Sequence, residues 1–173
     1  MKRIASVITA ALIVAIGFTA TNPASANTGN QNGSFTIVTA EYRAANSPEA
    51  NKLNGLMDSL YRGKFYSPKG ESFRECVIRR ESRADYTAAN STSSARGAYQ
   101  LLDNAWRDSL VWMLLPEAKD HGLTEEVKQL REMSIHKWSR YWQDAAFWTV
   151  LNYKGPMSGA KHWGGFGQTY ECR

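Results

Sequence analysis

The stretch CVIRRESRADYTAANSTSSARGAYQLLDNAW, residues 76–106, carries a glutamate where an apolar helix stripe should continue. Phe73, Val77 and Glu81 stand at i, i+4 and i+8, and Ile78 lies three residues before Glu81. On a helix these four share one face. A carboxyl at the edge of such a stripe is partly desolvated, which favours its protonated form and suits it to general-acid cleavage of a glycosidic bond. The plainer reading is a solvated helix end in which Glu81 pairs with Arg79, Arg80 or Arg83, since buried glutamate is rare. A close arginine would favour the charged carboxylate and oppose the acid role.

Other chemistry finds less support. His121, His136 and His162 are scattered, and two distant cysteines complete no metal-ligand spacing. The chain lacks a phosphate-cradling glycine loop and a Ser/His/Asp set in a recognisable context. No cofactor is therefore expected. A hydrolase of the two-carboxylate type would need a second acid. Asp85 and Asp103 are the available partners, and Asp103 reads better as a solvated helix residue.

Three elements must position Glu81. Residues 71–82 read as its helix. A loop of about fifteen residues follows. Residues 98–115 read as a second helix, with Tyr99, Leu102, Trp106 and Leu110 on one side and Pro116 as its stop. Upstream, SPEANKLNGLMDSLYRGKFY also looks helical: Ser47 can cap it, Pro48 suits its first position, and Leu53, Met57 and Leu60 recur at helical spacing. TEEVKQLREM and HKWSRYWQDAAFWTVLNY give two further helices, the first opening at Thr124 with Glu125 and Glu126. The aromatic cluster Trp138, Tyr141, Trp142, Phe147 and Trp148 reads mainly as core. The tail from Lys154 carries five glycines and a proline and reads as loop. No strand alternation stands out, so the expected class is mostly α, in one compact domain.

The first 26 residues have the form of a secretory leader: Lys2 and Arg3, an apolar run from Ile4 to Ala20, then Ala24-Ser25-Ala26. Cleavage before Asn27 would leave 147 residues, with 19 basic against 16 acidic side chains, a net charge of +3. That balance is compatible with an anionic cell wall and too small to argue for nucleic acid. No second apolar run is long enough to span a bilayer, so no membrane attachment is expected after cleavage. Residues 27–46, polar and rich in Asn, Gly and Thr, read as a mobile tail with one short extended piece at 35–38, and residues 47–173 as the working domain. In an oxidising compartment Cys76 and Cys172 are expected to pair, tying the chain's end to the helix of Glu81.

The segment ESRADYTAANSTSSARGAYQL resembles the catalytic segment of lytic transglycosylases and the related resuscitation-promoting-factor-like wall enzymes. There a helix ends in Glu-Ser, a loop follows, and Gly-x-x-Gln opens the next element. Glu81-Ser82 and Gly97-Ala98-Tyr99-Gln100 match these parts, with Ala89-Asn90 and Ser93-Ser94 between them. A cysteine on the catalytic helix paired with one at the extreme C-terminus also occurs in the secreted, resuscitation-factor-like branch. Two positions depart from the pattern. Arg83-Ala84-Asp85 stands where glycine or proline is usual, and Arg96 precedes Gly97 where a small residue is common. LNYKGP at 151–156 is a loose echo of a later aromatic motif and adds Tyr153 as a weak match.

The resemblance implies a lysozyme-like helical fold and a secreted, wall-associated monomer acting on peptidoglycan glycan strands. Glu81 would be the single acid/base, closing the muramic C6 hydroxyl onto the anomeric carbon. Ser82 and Gln100 would bond near the acid and the sugar. Asn90 would either order the loop or meet an acetamido group, and Tyr99 would either line the cleft or fill the core. Trp163, beside Gly164 and Gly165, is the candidate sugar-stacking platform, although a plain turn reads the same way. A water-using muramidase and a glycan-binding module without turnover are the alternatives.

Overall fold

The computed structural model describes residues 40, 42–52, 58–155, 159–164 and 172. The leader at 1–26, the extended piece at 35–38, Leu53, Met57 and Gly165 lie outside the described residues. The described part is mostly helical with one small two-stranded sheet. Its helices are α1 (Pro48–Lys52), α2 (Glu71–Ser82), α3 (Asp103–Asp120), α4 (Thr124–Gln129) and α5 (Arg140–Asn152). Single 3-10 turns occupy Pro68–Gly70, Leu130–Glu132, Ile135–Lys137 and Ala160–His162. No described helix is long and apolar enough to cross a membrane.

α5 is the centre. Every residue from Arg140 to Val150 is buried, so the helix is enclosed on all sides rather than presenting one stripe. Ser139 caps it by accepting from the Trp142 N–H. α3 packs against α4 and α5. Phe73 of α2 reaches Phe147 of α5, with ring centroids 6.3 Å apart. The aromatic segment 138–148 is therefore core, as its density of large rings implies. Ordered packing starts before Ser47: residues 42–45 form a helical turn, and Tyr42 lies against Tyr141 (5.0 Å) and Trp142 (5.3 Å).

α1 begins where its cap chemistry puts it. Ser47 Oγ accepts from the Ala50 N–H at 3.1 Å and Pro48 takes the first position. The helix does not reach Leu60: residues 58–66 are irregular, held by the Asp144 carboxylate, which accepts from the Leu60 N–H at 2.7 Å.

Two readings of the 98–120 region are corrected. Residues 97–100 form a turn, and Leu101–Leu102 (β2) pairs antiparallel with Ala95–Arg96 (β1). Gly97 (φ +75°) and Gln100 (φ +48°) have left-handed backbone, which a helix cannot hold. α3 therefore starts at Asp103, and strands of two residues are too short to show alternation in a sequence. At its other end α3 runs through Pro116 to Asp120. The carbonyl that Pro116 cannot serve belongs to Trp112, which lies on the exposed face of the helix, where water can replace the missing donor.

Candidate functional site around Glu81

α2 has the bounds its sequence implies, Glu71–Ser82. Its inner ridge runs Arg74, Val77, Ile78, Glu81. The first three are wholly buried, and the Glu81 side chain emerges at 26% exposure. The glutamate thus continues the buried ridge and is the first member to meet solvent.

The turn after it is tight. Arg83 (φ +58°) and Ala84 (φ +64°) are both left-handed. The Arg83 N–H donates to the Arg79 carbonyl (3.1 Å) and the Ala84 N–H to the Ile78 carbonyl (3.0 Å). Such paired closures usually employ glycine, and an L-residue there costs about 1–2 kcal/mol. Ser82 Oγ donates to the Ile78 carbonyl (3.2 Å) and accepts from the Asp85 N–H (3.2 Å). Asp85 Oδ1 in turn accepts from the Thr87 N–H (2.8 Å) and hydroxyl (2.7 Å). The side chains between Ser82 and Thr87 therefore fold the chain back on itself at the helix end.

Arg80 holds the carboxylate. Its Nη2 donates to Glu81 Oε1 at 2.6 Å and its Nε at 3.1 Å. The same Nη2 also donates to the Trp163 carbonyl. Trp163 is buried at 5% exposure, with its ring against Phe147 (4.6 Å) and Phe73 (6.4 Å). Its Nε1 donates to the Tyr99 carbonyl at 3.0 Å. Trp163 thereby joins the end of α2 to the turn that ends in Gln100. A disulfide between Cys76 and Cys172, with Cα atoms 5.5 Å apart, ties a second point of the C-terminal segment to α2.

The facing hairpin is anchored from the core. Gln143, buried in α5, accepts from the Ala98 N–H at 2.9 Å and donates to the carbonyls of Tyr86 and Trp138, both at 3.0 Å. A Cβ on Gly97 would stand 2.4 Å from Gln143 Oε1, so the backbone approaches this close only as glycine. Gln100 Nε2 donates to the Gly97 carbonyl at 2.9 Å. Arg96 Nη1 donates to the carbonyls of Asn90, Ser93 and Ala95 at 2.8–2.9 Å, so the arginine clamps the loop.

Behind the hairpin lies a buried polar network. Asp144 Oδ1 accepts from the hydroxyls of Tyr99 (2.6 Å) and Tyr86 (2.7 Å). Arg74 Nη1 donates to the Tyr99 hydroxyl at 3.1 Å, and its Nε pairs with Glu71. The Arg140 guanidinium lies over the Tyr86 ring, 4.8 Å from the centroid. Burial pushes the Asp144 carboxyl above its ordinary value, against the pull of Arg74 and the three donors. Burial likewise drives the Tyr99 hydroxyl well up, followed by the nearby Asp144 charge.

The proposed contacts divide sharply. Glu81 is linked through Arg80 to the Trp163 carbonyl, and the Trp163 ring to the Tyr99 carbonyl, while the Gln100 side chain bonds back to Gly97. Tyr99 is 1% exposed with its hydroxyl fully engaged, and Trp163 is core; each positions its neighbours and neither offers a face to a ligand. Of the two readings open for Tyr99 the structure shows the core one, and the stacking platform expected of Trp163 is corrected, because large rings in a small domain are claimed by its interior. Asn90 orders the loop: its Oδ1 accepts from the Thr92 N–H and hydroxyl, both at 2.9 Å. Tyr153 stands in another cluster, with Phe65 (6.0 Å) and Trp112 (6.3 Å). Asp103 is buried rather than solvated, and its Oδ1 accepts from the Ile135 N–H at 2.9 Å. The ion pair expected of Glu81 with a neighbouring arginine is made by Arg80, whereas the sequence reading does not single out Arg74, Gln143 or Asp144 as partners of the site. The adjacent polar pair Gln143-Asp144 inside an apolar run was a legible signal.

Among the described residues no group of three or more His, Cys, Asp or Glu could hold a metal ion. No family model matches the chain, and no curated protein or solved structure is found to match it.

Proposed function

We propose that this chain is an exported, lysozyme-like enzyme that cleaves the glycan strand of peptidoglycan as a lytic transglycosylase, with Glu81 as its acid/base. The observation that carries this reading is the ridge Arg74–Val77–Ile78–Glu81. It delivers one carboxylate from a buried face to partial exposure, beside a turn held at both ends. The Cys76–Cys172 disulfide suits an oxidising compartment.

In the acid step Glu81 gives its proton to the glycosidic oxygen as the bond to the anomeric carbon breaks. The muramic C6 hydroxyl then bonds to that carbon and returns its proton to Glu81. One carboxylate suffices. The two candidates for a second one are already engaged, Asp85 with Thr87 and Asp103 with Ile135, which favours this route over a two-carboxylate muramidase. Arg80 must leave Oε1 before the acid step can run.

The Arg80–Glu81 pair also favours the second reading, a glycan-binding module without turnover. Release of soluble fragments from purified peptidoglycan separates the two. The wild-type chain should release them, and Glu81→Gln should lower the rate by about 100-fold or more. Equal release by both proteins would remove Glu81 from the chemistry, and none from either would leave the binding module.

A further inference from the structure

Trp112, in the middle of α3, is the most exposed large apolar side chain among the described residues, at 59%. Leu115, Pro116 and Lys119 stand three, four and seven residues after it and share its side of the helix. Two rings from other elements extend the patch. The Tyr153 ring lies edge-on to Trp112, with centroids 6.3 Å apart, and Phe65 lies against Tyr153 at 6.0 Å. Both are half-buried. The three rings form one strip across α3, the end of α5 and the irregular segment 58–66.

Lysines edge this strip. Lys64 Nζ stands over the Phe65 ring, 5.6 Å from its centroid. Lys154 follows Tyr153, Lys119 lies beyond Trp112, and all three lysines are exposed. The acids nearby are already matched. Glu117 accepts from the Tyr61 hydroxyl at 2.5 Å and the Lys64 N–H at 2.9 Å. Asp108, one turn before Trp112, pairs with Arg131 at 3.9 Å.

We propose that this strip docks the protein on an anionic lipid surface, with Trp112 as the anchor. Tryptophan and tyrosine settle at a membrane–water interface because each joins a large apolar body to a polar N–H or O–H. Lysines beside them complement anionic headgroups, and their stems lie along apolar surface while the ammonium reaches outward. A sugar fits less well, since it needs hydrogen-bonding groups beside the ring. The amide next to Tyr153 is spent: Asn152 Nδ2 donates to the Phe65 carbonyl at 2.7 Å. Docking of this kind lies in the interface and needs no spanning helix. It does not involve Glu81, so it stands apart from the cleavage reading.

The test is co-sedimentation of the chain from Asn27 onward with phosphatidylglycerol vesicles and with phosphatidylcholine vesicles. The leader is left off because its apolar run would itself bind lipid. Binding to the anionic vesicles should exceed binding to the neutral ones and should fall as salt rises. Trp112→Ala should weaken it about tenfold, through the apolar area withdrawn from the interface. Lys64→Ala should weaken it about fivefold, the worth of one lysine near an anionic leaflet. Matching unfolding midpoints would show that the variants keep the fold. No binding to phosphatidylglycerol vesicles, or equal binding by wild type and Trp112→Ala, would overturn the docking surface. Equal binding to both kinds of vesicle would overturn the part given to the lysines. A dimer that Trp112→Ala dissolves, with no vesicle binding, would overturn the lipid and assign the strip to a second copy of the chain.

Discussion

At the scale of single residues the site is governed by what holds each polar group. Glu81 is held by Arg80, Arg80 also by a backbone carbonyl, and Tyr99 by a carboxylate at the centre of the domain. Asp144 gives this network a measurable signature. Its carboxyl binds a proton more readily in the fold than in the unfolded chain, because burial opposes its charge. The stability it contributes is therefore complete below the ordinary carboxylate range and is lost as pH rises through the raised folded value. Asp144→Asn cannot titrate, and its amide would face the Leu60 N–H, so the variant should be less stable by about 1–3 kcal/mol. Urea unfolding between pH 4 and 7 should show the wild-type advantage shrinking as pH rises. An advantage that grows with pH would contradict the account.

At the scale of elements the turns matter more than the helices. Arg83 is exposed and left-handed, so Arg83→Gly should raise stability by about 1 kcal/mol. Gly97→Ala should do the reverse, costing about 2 kcal/mol or more, since its Cβ would meet Gln143 and its φ disfavours a side chain. Thermal unfolding of both variants checks the pair of signs. The helices α2 and α5 are legible in the sequence from helical spacing and large rings, although the segment read as α5 begins at His136 and the helix itself only at Arg140. The hairpin is not legible. Tyr99 and Leu101 look like helix residues until Gly97 and Gln100 are seen to turn the chain, and that turn depends on Gln143, which lies far away in sequence. The place of Glu81 at the end of the buried α2 ridge is legible from local pattern alone. The interior roles of Tyr99 and Trp163 are not, because they are set by what α5 places opposite them.

At the scale of the whole molecule, the C-terminal segment is bound to α2 twice, through Trp163 and through Cys76–Cys172. The disulfide spans 96 residues of sequence. In the loop-entropy picture a closure of this length contributes up to about 4–5 kcal/mol, a large share of the stability of a small domain. The doubly substituted Cys76→Ser, Cys172→Ser chain should therefore unfold at a markedly lower urea midpoint; an unchanged midpoint would mean that the Trp163 contacts hold the segment without it. The same contacts run in series from the core to one carboxylate. α5 fixes the hairpin, the hairpin fixes Trp163, and Trp163 fixes the arginine that holds Glu81. The most direct test of the central claim is mass spectrometry of the fragments released from purified peptidoglycan by the wild-type chain and by Glu81→Gln. The account predicts 1,6-anhydromuramyl ends from the wild type and their loss in the variant. Free reducing ends would contradict the single-acid route, and anhydro ends that persist in the variant would contradict the role given to Glu81.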